Sequence, residues 1–346
     1  GIDEYMLFRY RSGRKTMFRN VFQCLPGEYI FYHNNKINFK QYWDAKNKKQ
    51  NKTTTQTQEE LEQIFKSSIK YQLISDVEVG SQLSGGIDSS LVTAISSMES
   101  DLFKRTFSVI FEDQEISEEK YIDFINNKFS LVNSKRLMQP EDLLNYLEDA
   151  TWHFDQPLSQ PNAIGIYLLA ENAKKFLKVL LSGEGSDEIF GGYDRYYPAR
   201  IFCILSVFAP LVNSLRSESM KRNGGSLQDI LICLSSVSKE DDIKQVVPMF
   251  DFNKALEERR FIFNQSSDRT VFEKFLTYDQ KTYLPELLLR QDKMCMAHGI
   301  ENRVPFLDHR IVEFSKRISS NLKTPINYFS LSKNSKYNTK KILKNI

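Results

Sequence analysis

Cysteine is scarce in this chain: Cys24, Cys203, Cys233 and Cys295 are scattered through 346 residues. They are too few and too far apart for a disulfide framework or a paired-cysteine metal site, so a reducing cytosol is the expected compartment. A long apolar run is also missing. A membrane-spanning helix needs roughly 18 or more apolar residues, and the nearest stretch, 201–215, is short and interrupted by Pro210. Neither charge sign is in excess, with 47 Lys plus Arg against 44 Asp plus Glu and a net charge of +3. That balance argues against a polybasic nucleic-acid coat or an acidic tail, while leaving room for a local phosphate site. No internal repeat is found, and the chain opens on Gly1 rather than Met, as a piece of a longer protein would.

What is present is ample core material, 41% hydrophobic and 26% charged residues, in a length that suits two domains or one large one. Residues 1–44 are aromatic and turn-rich. Tyr5-Met6-Leu7-Phe8, Glu28-Tyr29-Ile30-Phe31-Tyr32 and Ile37-Asn38-Phe39 read as short strands, with turns at Pro26-Gly27 and at His33-Asn34-Asn35-Lys36. Residues 45–57 hold one apolar residue, Ala45, and read as a linker. From Gln58 onward the period changes. Leu61, Ile64, Phe65, Ile69 and Leu73 recur at helical spacing, and strands at 77–83, 106–111, 132–138 and 177–181 then alternate with helices at 91–95, 118–129, 141–153 and 163–176. This alternation predicts an α/β fold, a parallel twisted sheet with helices on both faces. Strands are not expected after about residue 195, where an appended all-helical region follows; residues 1–44 are its short N-terminal β counterpart.

Three strings carry chemistry. Leu83-Ser84-Gly85-Gly86-Ile87-Asp88-Ser89-Ser90 falls between a predicted strand and a predicted helix. Its two glycines are expected to turn the chain with positive φ and to let a ligand approach the backbone. The helix N-terminus adds free N–H groups and the positive dipole end, and the serines add hydroxyls. A strand–turn–helix with serine caps is the plainer alternative, but the full string is a specific signal for a phosphate cradle. It is not a Walker A loop, because no Lys follows the glycines. The second string, Leu181-Ser182-Gly183-Glu184-Gly185-Ser186-Asp187-Glu188, sets three carboxylates beside two glycines. Near a phosphate cradle such acids call for Mg²⁺, which takes carboxylate and phosphate oxygens together; a solvated acidic turn is the alternative. The third string runs from Leu287 through Arg290, Gln291, Asp292 and Lys293 to Glu301-Asn302-Arg303-Val304-Pro305-Phe306-Leu307-Asp308, charged residues beside apolar ones that suggest ion pairing.

The first string resembles the pyrophosphate loop of the PP-loop ATP pyrophosphatases, a group with an adenine nucleotide alpha-hydrolase-like fold. All three strings, in this order, resemble the synthetase domain of the class B, glutamine-dependent asparagine synthetases. β-Lactam synthetases share the architecture. The resemblance covers 58–346 and extends upstream, where 1–44 resembles the C-terminal edge of the family's N-terminal nucleophile glutaminase domain. It implies a ligase that uses ATP and Mg²⁺ to adenylate the side-chain carboxylate of aspartate, releasing pyrophosphate. Ammonia, from glutamine in the full-length protein, then displaces AMP to give asparagine.

Site roles follow from the same resemblance. Ser84, Gly85, Gly86, Asp88, Ser89 and Ser90 would hold pyrophosphate, with Leu83, Val109, Ser182 and Gly183 completing the ATP pocket. Asp88 and Asp187 would hold Mg²⁺ with the pyrophosphate, and Glu184 would be the base that takes a proton as ammonia attacks. Lys340 in Lys340-Lys341-Ile342-Leu343-Lys344 would balance the developing pyrophosphate charge, and Arg290 is a second cationic candidate for a carboxylate or phosphate. Small-molecule partners alone are expected, with no nucleic acid and no membrane; a homodimer is left open.

Three departures from the family qualify this. The glutaminase nucleophile, an N-terminal cysteine, is absent from Gly1, and Cys24 lies in the wrong part of that domain, so glutaminase activity is not expected. The chain stops at Ile346, where the family continues. Phe154-Asp155-Gln156-Pro157-Leu158-Ser159-Gln160-Pro161-Asn162 stands where well-known asparagine-forming members carry Thr-Thr-Ile-Arg-Ala-Ser, and 154–173 holds no Arg or Lys. Amidation of another carboxylate, such as a surface-sugar or peptide acid, and a non-catalytic ATP-binding fragment are the alternatives.

Overall fold

The computed structural model describes residues 1–45, 53–113, 117–158, 160–205, 226–268, 270–324, 326–327 and 332–333. The chain forms two compact units, Gly1–Lys46 with Gly191–Glu286, and Asn47–Phe190 with Leu287–Ile346.

The first unit opens on a helix, α1 (Ile2–Phe8), where the apolar run had predicted a strand. A four-residue apolar run fits either element. Asp3 and Glu4 in the first turn suit the positive end of a helix, and the helical spacing buries Glu4, Leu7 and Phe8. A hairpin follows, β1 (Glu28–His33) and β2 (Lys36–Gln41), paired antiparallel from Glu28 opposite Gln41 to His33 opposite Lys36. Its two-residue turn, Asn34-Asn35, has positive φ at both positions, the geometry that matches strand twist and that asparagine tolerates.

The second unit begins with α2 (Thr54–Gln72), closed at its start by a capping box between Thr53 and Gln56, so the helix starts four residues before the apolar periodicity does. Then come β3 (Val79–Gln82), α3 (Ile87–Glu99), β4 (Arg105–Phe111), α4 (Glu119–Phe129) and β5 (Val132–Met138). The expected helix at 141–153 is two helices, α5 (Pro140–Asn145) and α6 (Leu147–Phe154), interrupted at Tyr146. Next are α7 (Asn162–Ala173), β6 (Val179–Leu181) and the one-turn α8 (Ser186–Phe190).

The first unit resumes with α9 (Tyr196–Leu205), α10 (Leu227–Cys233), α11 (Glu240–Val246) and α12 (Phe252–Asn264). Its core joins Leu7, Phe8 and Tyr10 to Leu231, Leu256, Phe263, Phe272 and Phe275. The long α13 (Val271–Met296) carries Pro285 in its interior, one residue before the boundary between the units.

After α13 the expectation of helix alone fails. β7 (Glu301–Arg303) is a fifth strand, paired parallel with β6, and α14 (His309–Arg317) follows it. Three polar residues offer no alternating pattern, so this edge strand leaves no periodic signal. The sheet runs β5-β4-β3-β6-β7, every pairing parallel. Both faces are buried, which alternation along β6 displays. Val179 and Leu181 share a core with Leu61, Phe65, Leu91, Val92 and Phe314 from α2, α3 and α14. Leu180 shares another with Phe107, Leu169, Ala170 and Cys295 from β4, α7 and α13.

Candidate functional site

Chain order along the sheet locates the site. From β3 the chain winds outward through β4 to β5, then returns to lay β6 on the other side of β3. Open α/β sheets bind ligands at the carboxyl edge of such a reversal. The register places Ser81 opposite both Thr106 and Leu181, and Leu181 opposite Arg303. The loops that leave β3 and β6 therefore start at nearly one level, on neighbouring strands.

The β3 loop carries the first string. Gly85 turns at φ +86°, which L side chains rarely adopt, and a β-carbon there would lie 2.7 Å from Cβ of Glu118. Gly86 differs from the expectation of positive φ. It is the N-cap of α3 at φ −67°, ψ 157°, because an N-cap takes extended backbone. Ser84 and Ser89 close the loop: Ser89 Oγ lies 3.0 Å from Ser84 Oγ, accepts from the Ser84 amide at 3.2 Å and donates to the Gly86 carbonyl at 3.1 Å. Ser84 is exposed, whereas Asp88, Ser89 and Ser90 are buried in the first turn of α3.

The β6 loop meets the first string directly. A β-carbon at Gly183 would stand 2.7 Å from the Ser89 amide nitrogen and 2.9 Å from the Asp88 carbonyl carbon. Both are backbone atoms at the N-terminus of α3, so only glycine lets the loops approach this closely. Ser186 Oγ then donates to Asp88 Oδ1 at 3.0 Å. Ser182 is tied to β7, its amide donating to the Arg303 carbonyl at 2.9 Å and its Oγ to Asn302 Oδ1 at 3.2 Å. Glu184 and Asp187 are half-buried, whereas Glu188 is fully buried and so does not belong to an open acidic turn.

Leu83 packs with Ile122 and Ile125 toward α4, and Val109 packs in the core shared with α7. Ser108, which sequence reasoning passed over, donates to the Leu83 carbonyl at 2.6 Å. Asn133 donates to both Ser108 Oγ and Thr106 Oγ1, at 3.0 and 2.7 Å, extending the buried network across three strands. Ser186 was also missed; its signal is a hydroxyl one residue before an acid in a glycine-flanked turn. Arg303, in the third string, pairs with Glu301 at 2.7 Å and donates to the Gln72 and Ile74 carbonyls at the end of α2. Its part is structural capping and pairing.

Arg290 stands apart. It is 3% exposed, and its Nε and Nη1 are buried with no hydrogen-bond partner. Lys340 and Ser159 lie outside the described residues. Among the described residues no group of three or more His, Cys, Asp or Glu could hold a metal ion. Asp88 meets the turn of Ser186, which donates to it, and Asp187 follows Ser186 directly in the chain. No helix of the described residues is long and apolar enough to cross a membrane.

A glycine-turned loop opening a helix N-terminus, met by a second acidic glycine loop at the reversal of a parallel sheet, defines an open α/β domain whose two loops meet at the carboxyl edge, the arrangement expected of a phosphate cradle. The profile of the family described as Asparagine synthase matches residues 60–346, and the chain belongs to that family. It is 32% identical over 339 residues to asparagine synthetase (glutamine-hydrolyzing) 1 of Bacillus subtilis (strain 168), covering 93% of this chain and 54% of that protein. Asparagine synthetase (glutamine-hydrolyzing) 3 of the same organism is 27% identical over 319 residues, covering 88% of this chain and 49% of that protein. Amidase chry2 of Gibberella zeae is 26% identical over 389 residues, covering 92% and 55%. The chain spans about half the length of these relatives.

Proposed function

We propose that the second unit is the synthetase domain of an ATP-dependent amide-forming ligase that converts aspartate to asparagine. The observation that carries this reading is the junction of the two strings, Gly183 against the backbone of Asp88 and Ser89, with Ser186 bonded to Asp88. ATP lies across the carboxyl edge, with its β and γ phosphates in the loop of Ser84, Gly85, Gly86, Ser89 and Ser90. The nucleoside lies toward Leu83, Val109 and Gly183. Asp88 and Asp187 are the carboxylates that would hold Mg²⁺, which when bound would neutralise pyrophosphate charge.

An oxygen of the acceptor carboxylate attacks the α phosphorus, the bond to the β-phosphate oxygen breaks, and pyrophosphate leaves. The acyl-adenylate now has a leaving group that a free carboxylate lacks. Ammonia attacks its carbonyl carbon, Glu184 takes the proton released from nitrogen, and the bond to AMP breaks. Lys340 is the cation assigned to the pyrophosphate. The cytosol suits Cys24, Cys233 and Cys295, which are all free thiols.

The test is pyrophosphate release by this chain with ATP, Mg²⁺, ammonia and a panel of carboxylates. Release with aspartate, accompanied by asparagine, is expected. Release only with other acceptors moves the reading to a related amidotransferase, and none with any acceptor leaves an ATP-binding module. Glu184→Gln should keep ATP affinity and slow amide formation by about 100-fold or more, the scale of a general base. An unslowed variant removes Glu184 from the step.

A further inference from the structure

A cradle made of backbone binds well only if that backbone is held in place before the ligand arrives. The first peptide of the loop joins Leu83 to Ser84, so the Leu83 carbonyl and the Ser84 amide share one plane. Both ends of the plane are bonded. The Ser84 amide donates to Ser89 Oγ at 3.2 Å, from the first turn of α3. The Leu83 carbonyl accepts from Ser108 Oγ at 2.6 Å, from the neighbouring strand β4. The Leu83 amide carries the β3–β4 ladder up to this point, donating to the Phe107 carbonyl at 2.9 Å.

Ser108 is itself held from the next strand. Asn133 on β5 brings Nδ2 to Ser108 Oγ at 3.0 Å and to Thr106 Oγ1 at 2.7 Å. Two main-chain carbonyls decide which way these bonds run. A carbonyl only accepts, so Leu83 takes the single hydroxyl proton of Ser108. The Ile122 carbonyl accepts from Asn126 Nδ2 at 2.8 Å, which leaves Asn126 Oδ1 to take the hydroxyl proton of Thr106 at 2.6 Å. Both hydroxyl oxygens therefore offer Asn133 only lone pairs, and an NH₂ group, with two hydrogens, serves both. Asn133 Oδ1 is left buried with no hydrogen-bond partner. An apolar side chain would avoid that orphaned oxygen, so the asparagine is explained by its NH₂.

The two branches from this one amide both end at the cradle. The first runs through Ser108 to the Leu83 carbonyl. The second runs through Thr106 and Asn126 to the Ile122 carbonyl in α4. The Ile122 amide donates to the Glu118 carbonyl at 3.2 Å, one turn earlier. Gly85 turns against Glu118, where a β-carbon would lie 2.7 Å from Cβ and 2.9 Å from the carbonyl oxygen. Leu83 also packs on Ile122 and Ile125 of the same helix. Thr106, Ser108 and Asn126 are buried, so water does not compete for these bonds.

We infer that Ser108 and Asn133 are positioning residues of the nucleotide site. One amide on the outer strand, two strands away from β3, fixes both the peptide from which the cradle starts and the helix against which its glycine turns. Both residues act through backbone rather than by touching the nucleotide. The inference rests on the reading of 83–90 as the ATP cradle.

Calorimetric titration of a non-hydrolysable ATP analogue with Mg²⁺ into this chain tests it without turnover. Ser108→Ala should weaken binding by about 3–10-fold, the worth of one net hydrogen bond. Ser108→Thr keeps the hydroxyl and should stay within about twofold of the wild type. Asn133→Leu, similar in shape but without the NH₂, should weaken binding by about threefold or more. The double variant Ser108→Ala, Asn133→Leu should lose less than the product of the two single losses, because both act on the Leu83 carbonyl. Asn172→Ala is the control. Its Nδ2 donates to Ser134 Oγ at 2.8 Å, on the same strand but the other face, and its loss should leave affinity unchanged. Thermal unfolding of each variant separates loss of fold from loss of position. The inference is overturned by wild-type affinity in Ser108→Ala or in Asn133→Leu, or by an equal loss in Asn172→Ala. A loss in Ser108→Thr as large as in Ser108→Ala, with unfolding unmoved, also overturns it. Absence of analogue binding by the wild type is a different failure, which removes the cradle reading and this inference with it.

Discussion

Buried arginine is treated in opposite ways in the two units. In the first, Arg259 is fully buried yet each of its three nitrogens is hydrogen-bonded. Nε bonds Glu4 at 2.9 Å, Nη1 bonds the hydroxyls of Tyr10 and Tyr278 at 3.2 and 2.9 Å, and Nη2 bonds the Tyr10 carbonyl at 3.2 Å. The guanidinium carbon also lies 3.5 Å from the centre of the Phe8 ring. Glu4 in turn accepts from the amide and hydroxyl of Ser12, at 2.9 and 2.6 Å. Arg195 also pairs with a buried acid, its Nε donating to Asp279 at 2.9 Å, and its guanidinium lies over the rings of Tyr193 and Tyr283. Burial alone would lower these arginines, but the anion and the tyrosines around each outweigh it and hold them above their ordinary value. In the second unit Arg290 has none of this. A buried charge answered within the chain is part of the architecture, whereas Arg290 has two buried nitrogens that nothing in the chain answers.

The largest effect should come from breaking an answered charge. Arg259→Met leaves the buried Glu4 with only the more distant Arg11, 3.8 Å away, and should cost about 3–5 kcal/mol, the usual loss when one partner of a buried pair is removed. Denaturant unfolding reads the loss, and a value under about 1 kcal/mol would dissolve the contrast. Next comes Gly183→Ala. Its β-carbon meets backbone at 2.7 and 2.9 Å, so α3 and the β6 loop must separate. An overpacking cost of about 1–3 kcal/mol is expected, with nucleotide affinity falling as the cradle opens. Unchanged affinity measured by calorimetry would mean that the junction of the loops does not shape the cradle. Arg290→Met should be smaller and of opposite sign to Arg259→Met. Removing an unanswered buried charge is neutral or stabilising, by up to roughly 1 kcal/mol at such a site. Destabilisation comparable to that of Arg259→Met would make Arg290 architectural.

How much of this was legible follows from what kind of signal each feature leaves. Periodic apolar residues announce β3 through β6 and their helices, and the glycine and acid strings mark the carboxyl edge because turn chemistry is local. β7 was illegible because Glu301-Asn302-Arg303 gains its strand character only by pairing with β6. α1 was misread because Tyr5-Met6-Leu7-Phe8 fits two periods, and the choice is made by burial of Leu7 and Phe8 against helices more than 200 residues away. The contact of Gly183 with Asp88 and Ser89 joins strings about a hundred residues apart, which no spacing rule reports. Arg290 was visible as a cation; that its donors are unanswered is a property of packing alone.

A lysine beside a histidine in the same unit sharpens the distinction. Lys174 Nζ lies 3.1 Å from Nδ1 of His298, near the end of α7 and just past α13, away from the site. Here the fold needs no anion, because histidine can shed its proton where arginine cannot. Burial first, and then the Lys174 ammonium, lower His298 to about 4. Between pH 4 and the unfolded value of about 6.5 the unfolded chain therefore binds more protons than the folded one. The contribution of His298 to stability is complete above about pH 6.5 and is lost as pH falls toward 4. Lys174→Met removes one of the two causes. His298 should then titrate at a higher pH, read from its ring proton shifts by NMR, and unfolding should depend less on pH across that window. An unmoved titration would assign the depression to burial alone.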